Sequence, residues 1–115
     1  MKTWIYNTNG ECIGQMDEYY VIYNGAGYRA GCVNPKTGEI FGPYDNYVGY
    51  VSKWNEICNP MGEVCGYVND NGDIFDLRKR EVGYVTETDE YNRMREGITD
   101  VYSLIAGAAA WLLNF

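Results

Sequence analysis

The sequence predicts a mainly β fold. We expect five tandem β-hairpin repeats, about ten antiparallel strands in a closed or flower-like meander, followed by a C-terminal apolar α-helix. Three observations support this prediction: one short pattern recurs five times, each copy has turn-forming residues at its centre, and the end of the chain is strongly apolar. We therefore divide the 115 residues into a hairpin-repeat domain, residues 1–86, and a helical C-terminal segment, residues 87–115.

The recurring pattern begins with an isoleucine and has a glycine nine positions later. Successive glycines are 17 or 18 residues apart, and a fixed period this short indicates one small supersecondary unit repeated along the chain. The links between copies are too short for crossovers, so neighbouring strands should be antiparallel. The five copies are marked by Ile5 and Gly14, Ile22 and Gly31, Ile40 and Gly49, Ile57 and Gly66, and Ile74 and Gly83.

Turn chemistry makes each copy a hairpin. An Asn or Asp at the first position of the central tetrad can form an Asx turn, a Pro at the second sets φ, and a Gly at the fourth adopts the left-handed conformation. These features predict a type I turn closed by a one-residue bulge. Lys79 takes the glycine position in the fifth copy, which is the weakest match. The tetrads are residues 7–10, 24–27, 42–45, 59–62 and 76–79.

Strand alternation divides each repeat between two faces that are both apolar. We place the isoleucine on one face together with the residues before and after the glycine, and the glycine itself on the other face. A sheet with two apolar faces should close on itself or be covered. The glycine should remove a side chain where a neighbouring strand comes close. The residues after the glycine include Tyr50, Tyr67 and Tyr84.

These repeats resemble those of the 4-fold β-flower family, small bacterial proteins built from tandem hairpins of the form Ile-Tyr-Asn-x-x-Gly-x-x-x-Gly-Tyr-Val. The resemblance covers about residues 3–86 and is best in the first, second and fourth copies. It implies a hairpin-repeat fold and no established activity, and it carries over no catalytic residues. This chain departs from a fourfold pattern because it has five copies and a long apolar tail.

The C-terminal segment predicts two helices. Residues 86–96 are polar and favour a first helix capped by Thr88 or Asp89, with acidic residues in its first turn. A second helix should run from Val101 to about Asn114. Its apolar stripe is Val101, Leu104, Ile105, Ala108, Trp111, Leu112 and Phe115, and its opposite ridge of small or polar residues is Ser103, Ala106, Gly107, Ala110 and Asn114.

The apolar stripe has to be buried, because removing its six large side chains from water is worth on the order of 10 to 18 kcal/mol. The hairpin assembly, a second subunit or a membrane could bury it. The stretch from Val101 to Phe115 is shorter than the roughly twenty residues that span a bilayer, and it lacks basic anchor residues. This favours packing within the chain or between subunits over membrane association. The residues predicted for self-association are Leu104, Ile105, Gly107, Trp111, Leu112 and Phe115.

Composition argues against several classes of function. The formal net charge is −7, which is unsuited to binding nucleic acid. The chain has no histidine and its carboxylates show no repeated pairing, so we predict no catalytic residues, metal ligands or cofactors. The four cysteines form no C-x-x-C motif, although Cys58 and Cys65 of one hairpin could bridge if oxidised. No secretory signal precedes the first strand, which favours the cytoplasm.

A non-enzymatic interaction module is the function that these observations favour, as a homo-oligomer or with a protein partner. A carbohydrate-binding module is the alternative, because exposed aromatic rows stack on sugar faces. Tyr50, Tyr67 and Tyr84 are the aromatic residues predicted to face such a ligand. Their accessibility tests the alternative, since three inaccessible rings could not bind a glycan. A peripheral membrane protein that uses the apolar tail is a further possibility.

Overall fold

The computed structural model of the chain describes residues 3–87 and 103–113. The described residues form ten strands and one helix. Residues 1, 2, 88–102, 114 and 115 lie outside this description, and with them most of the predicted first helix. The elements are β1 Thr3–Asn7, β2 Cys12–Met16, β3 Val21–Asn24, β4 Arg29–Val33, β5 Glu39–Phe41, β6 Tyr47–Val51, β7 Glu56–Cys58, β8 Val64–Val68, β9 Asp73–Phe75, β10 Glu81–Thr86 and α1 Ser103–Leu113.

The strands form a closed antiparallel barrel in which each strand pairs with its neighbours in the sequence. Five hairpins, β1–β2 to β9–β10, are the five repeats of the sequence. The barrel closes where β1 pairs with β10, with Ile5 opposite Val85 and Trp4 opposite Thr86. This confirms the predicted ten-strand meander and shows that it is closed.

The hairpin turns have the predicted chemistry. In the first turn the N–H of Gly10 donates to the carbonyl of Asn7 at 3.1 Å, and the Asn7 side-chain oxygen accepts the N–H groups of Asn9 and Glu11 at 3.0 Å. The fourth residue has positive φ in every copy, including Asp45 and Lys79, which have φ near +60° without being glycine. In the fifth copy the Asp76 side chain accepts the N–H groups of Arg78 and Arg80 and holds the turn without the favoured glycine. In the third copy, which begins with Gly42, the backbone bond from the Asp45 N–H to the Gly42 carbonyl closes the turn.

The register corrects the predicted assignment of faces. Ile5 lies directly opposite Gly14, and the same pairing recurs in the other four hairpins. Directly opposite residues share a face, so the isoleucines and glycines both line the inside of the barrel. The prediction that they lie on different faces was wrong, because a bulge places one extra residue, such as Ile13, between the turn and the glycine. The residues after the glycine, Tyr50 among them, therefore lie on the outer wall.

The helix lies inside the barrel. Residues Ile105 to Ala110 are all buried, and α1 packs against β1, β2, β4, β6, β8, β9 and β10. The predicted stripe and ridge are therefore both buried over this stretch, as expected for a helix that is apolar on all sides. Gly107 meets the side chains of Ile74 and Val85, while the indole N–H of Trp111 donates to the Cys65 carbonyl at 3.2 Å. The stretch from Ile105 to Ala110 is thus part of the intramolecular core.

The recurring glycine makes room for two neighbours. A Cβ atom at Gly66 would lie 2.6 Å from the Phe75 carbonyl oxygen of the next hairpin and 3.2 Å from Trp111 Nε1. A Cβ atom at Gly83 would lie 2.5 Å from the Tyr6 carbonyl oxygen across the closure of the barrel. Both distances are shorter than ordinary contacts. The expected close approach of a neighbouring strand is confirmed, and the central helix is a second reason for the glycine.

Candidate functional site

The barrel has two ends that differ in their turns. The hairpin end carries the turns within the repeats, residues 7–10, 24–27, 42–45, 59–62 and 76–79. The link end carries the connections between repeats, residues 17–20, 34–38, 52–55 and 69–72. Helix α1 runs from the link end toward the hairpin end, because Gly107 meets Val85 near the link end and Trp111 meets Cys65 near the hairpin turns.

Large apolar side chains project from the hairpin end. Tyr44 is 91% exposed, Met61 84% and Tyr28 73%. They come from consecutive hairpins, which are neighbours because β4 pairs with β5, β6 with β7 and β8 with β9. We call this surface the hairpin rim. Its members are Tyr28, Tyr44, Tyr47, Met61 and Leu77.

Folding of the turns does not require these apolar residues. The backbone carbonyl of the first residue closes each turn, and in the fourth turn the Asn59 side chain also accepts the N–H groups of Met61 and Glu63. The two central positions of a type I turn point to solvent and tolerate most residues. The corresponding position in the first two turns is held by Asn9 and Ala26. Tyr44 and Met61 therefore contribute exposed apolar surface that the local fold does not use.

Side-chain contacts join the second and third hairpins of the barrel at the rim. The Arg29 guanidinium donates to the Pro43 carbonyl at 2.9 Å and to the Asp45 carboxylate at 3.3 Å. The Tyr47 ring packs on Phe41 at 5.8 Å between centroids, and partial burial raises the pKa of Tyr47 above its ordinary value. The Arg29 contacts thus join the third turn, which carries Tyr44 between Pro43 and Asp45, to the second hairpin.

The link end has a different character. Its exposed aromatic residues are Tyr19 and Trp54, and the Trp54 ring carries the Lys53 ammonium 4.4 Å above its centroid. The link segments, residues 17–20, 34–39, 52–56 and 69–73, contain six carboxylates and two lysines. The hairpin segments, residues 7–11, 24–29, 42–47, 59–63 and 76–81, contain five carboxylates and four basic residues. The link end is thus clearly acidic, whereas the hairpin end is almost neutral.

The three predicted ligand-facing tyrosines lie half-buried on the outer wall. They occupy equivalent positions of three successive hairpins, and each is directly opposite an acidic residue of its own hairpin: Glu39 opposite Tyr50, Glu56 opposite Tyr67, and Asp73 opposite Tyr84. Since adjacent strands are about 4.8 Å apart, equivalent residues of successive hairpins are roughly 10 Å apart.

These tyrosines differ in their neighbours across the next strand. The Tyr84 ring stacks on Tyr6 with centroids 5.1 Å apart, and a hydrogen bond with the Cys58 thiol raises the pKa of Tyr50. Tyr67 instead lies opposite Phe75, and the two rings with Lys79 line an open groove of about 220 Å³. Tyr67 thus borders an open aromatic groove.

The residues predicted for self-association are divided by the structure. Ile105 and Gly107 are inside the barrel, and Trp111 and Leu112 are half-buried. The side chains of Leu104 and Phe115 lie outside the described residues. A cavity of about 270 Å³ lies beside Trp111, between the helix and the first and fifth hairpins. Neither this cavity nor the hairpin rim was predicted from the sequence.

The cysteines and carboxylates form no reactive centre in the part of the chain that the structure describes. All four cysteines are free thiols, and burial raises the pKa of Cys58 above its ordinary value. Within residues 3–87 and 103–113, no group of three or more Cys, Asp and Glu residues is arranged to hold a metal ion. In the same ranges, no helix has the length and apolar character that crossing a membrane requires.

Comparisons with protein-family models, curated proteins and solved structures find no match to this chain. The resemblance to the β-flower family therefore stays a prediction from the repeat pattern. The geometry that bears on function is the chain's own: an apolar rim at one end of the barrel, three outer tyrosines and one cavity beside the helix.

Proposed function

We propose that the chain is a non-enzymatic protein-interaction module that binds through its hairpin rim. The observation that carries this proposal is the exposure of five large apolar side chains on four neighbouring hairpins. Grouped apolar side chains on a protein surface mark interaction sites, and aromatic residues supply much of the binding energy at such sites. Burial of one such side chain is worth about 1.5 to 3 kcal/mol.

We propose a second copy of the same chain as the partner. The net charge of −7 makes two copies repel each other, and the hairpin end is where they meet with the least repulsion. The charges at this end are also complementary, because the fifth turn carries Arg78 and Lys79 while the neighbouring first and fourth turns carry Glu11 and Glu63. A two-fold pair could place unlike charges together. Self-association would then use the rim, since Ile105 and Gly107 are enclosed in the chain's own barrel.

Light scattering over a concentration series tests this proposal. The unchanged chain should approach twice its monomer mass of 13.1 kDa, and a variant with Tyr44→Ser and Met61→Ser should remain a monomer. The matched control combines Tyr19→Ser and Trp54→Ser at the link end, where the loss of exposed aromatic surface should leave the mass unchanged. A monomer at all concentrations, or a dimer that only the control weakens, contradicts the proposal.

Carbohydrate binding is a second candidate, supported by the open groove between Tyr67 and Phe75. Two rings offer stacking surface, and Lys79 and the nearby Glu56 offer hydrogen-bonding groups. Cellohexaose and chitohexaose should shift the NMR signals of Phe75 and Lys79 in the groove, and Tyr67→Ala should abolish these shifts while Tyr19→Ala should not. Shifts that survive Tyr67→Ala, or no shifts at millimolar sugar, contradict this candidate.

We do not extend the proposal to a membrane anchor, since the tail residues from Ile105 to Ala110 are packed by the strands. Cytoplasmic location stays a prediction from the sequence.

A further inference from the structure

The end of the helix places one residue at each hairpin in turn. A Cβ atom at Gly66 would lie 3.2 Å from Trp111 Nε1, one at Gly49 would lie 2.6 Å from Leu112 Cδ1, and one at Gly31 would lie 3.1 Å from Leu113 Cδ1. Consecutive helix residues thus contact consecutive hairpins, from the fourth to the second. A helix turns by about 100° per residue, so successive side chains point toward different hairpins.

The residue that this order assigns to the fifth hairpin is Ala110. At Gly83 the three nearest atoms to an added Cβ belong to Tyr6 and Ile74, and none belongs to the helix. The cavity of about 270 Å³ lies here, with Ala110 and Gly83 both in its wall. We call the space between the helix and each recurring glycine a slot. A large helix side chain fills the slots at Gly66, Gly49 and Gly31. The slot at Gly83 faces the methyl group of Ala110 and stays open.

The walls of this slot are suited to an uncharged molecule. Ile13, Ile74 and Val82 line it, and no carboxylate or basic side chain is among its described lining residues. Two of its polar side chains are engaged within the protein: the indole N–H of Trp111 donates to the Cys65 carbonyl, and the Asn7 amide bonds with Glu11. A ligand would be held by apolar contacts and by shape.

We infer that the slot at Gly83 is a binding site for a small uncharged aromatic molecule of one to two rings. The protein itself shows what such a slot accepts, since the equivalent slot at Gly66 holds the indole of Trp111. The volume agrees, because an apolar cavity of about 150 Å³ takes one benzene ring. This site is independent of the proposed dimer, because the cavity lies between the first and fifth hairpins and most of the rim lies on the second to fourth.

Indole is the probe for this site. In the full-length ¹⁵N-labelled chain, titration with unlabelled indole should shift the Trp111 indole N–H signal, one of only three such signals from Trp4, Trp54 and Trp111. A ligand of nine heavy atoms should half-saturate the site at about 0.1 to 1 mM. Indole-3-carboxylate should bind at least tenfold more weakly, because the slot offers its charge no partner.

Two variants fill the slot from inside the chain. Ala110→Leu should weaken indole binding at least tenfold and should not lower the melting temperature, since it fills a cavity. Ala110→Val should give a smaller loss and serves if the larger residue perturbs the fold. The matched control is Ala26→Leu, the same change in the exposed second turn, which should bind indole like the unchanged chain.

The inference is overturned if saturating indole leaves the Trp111 signal unmoved, if a folded Ala110→Leu variant binds as tightly as the unchanged chain, or if the carboxylate binds more tightly than indole. Binding that appears only in a chain shortened to end at Leu113 also overturns it, because the slot is then closed in the full-length protein.

Discussion

On the inner wall of the barrel the five repeats present nearly the same residues, whereas at the hairpin tips no two repeats present the same pair. Every inner wall position opposite the recurring glycine is an isoleucine, and all five isoleucines are at most 3% exposed. The central tip residues are Thr8 and Asn9, Gly25 and Ala26, Pro43 and Tyr44, Pro60 and Met61, and Leu77 and Arg78. The difference teaches that packing around the helix constrains the wall, while the tips are open to vary and to bind.

Removal of the helix should have the largest effect, because it empties the space that the inner wall encloses. A chain that ends at Glu96 should lose more than about 5 kcal/mol of unfolding free energy, comparable to the whole stability of a small domain. We expect aggregation and no cooperative thermal transition by circular dichroism. The control ends at Leu113 and keeps α1, so it should melt cooperatively. A folded, monomeric chain ending at Glu96 would show that the wall stands without the helix.

An added methyl group on the inner wall should cost much more than one at a tip. Gly49 has φ +149°, and a Cβ atom there would strike the Cys58 carbonyl oxygen and Leu112. Gly49→Ala should therefore lower the unfolding free energy by about 2 to 5 kcal/mol, measured by urea denaturation. At the second tip, Gly25→Ala meets only ordinary contacts, beginning at 3.5 Å, and should change stability little. Equal effects of the two changes would contradict the proposed difference.

A substitution at a hairpin tip can also raise the free energy of unfolding, whereas we expect added side chains on the inner wall to lower it. Lys79 is held at φ +62° in the position where the fourth turn has Gly62 at φ +86°. Lys79→Gly should raise the unfolding free energy by about 0.5 to 1 kcal/mol, because glycine adopts this conformation without strain. The reverse test, Gly62→Ala, should lower it by a similar amount. The sign of the first change is decisive, and a loss of stability would contradict the strain argument.

The smallest effect concerns pH at the fifth tip. Hydrogen bonds from the Arg80 backbone and side chain and from the Arg78 backbone lower the pKa of Asp76. A lowered pKa means that the ionised form stabilises the turn above about pH 4, and that this contribution is lost as the pH falls further. Asp76→Asn keeps the Asx acceptor, as Asn59 shows in the fourth turn.

The variant should therefore resemble the unchanged chain at neutral pH and lose less stability on acidification. Urea midpoints at about pH 7 and about pH 3 measure the difference. An identical loss in both proteins would mean that the Asp76 charge does not stabilise the folded state.

Much of the fold could be predicted because the repeat is local. The spacing of isoleucine and glycine gave the hairpins, and Asn7, Asn24 and Asn59 gave the turns. The assignment of faces failed because a second bulged residue, between the predicted bulged turn and the glycine, reverses alternation, and nothing in the repeat pattern marked it. The position of the helix inside the barrel could not be predicted either, since it depends on the diameter of the closed sheet.

The candidate sites were harder to predict than the fold. Tyr44 and Met61 follow prolines in predicted turns. The turn pattern predicts the backbone conformation there and does not indicate a binding role for the side chains. A signal was present, because a large apolar residue at a solvent-facing turn position has no folding role. The cavity had no such signal, since Ala110 becomes notable only when its neighbours Trp111, Leu112 and Leu113 are seen to fill the other slots.

The closed sheet around a central helix also constrains the order of folding. Each hairpin is local and can form within microseconds, but the pairing of Trp4 with Thr86 joins the first and last strands. A helix that is synthesised after β10 cannot enter a barrel that has already closed. The seam between β1 and β10 should therefore form last, after the helix has docked, and it should set the rate at which the native chain appears.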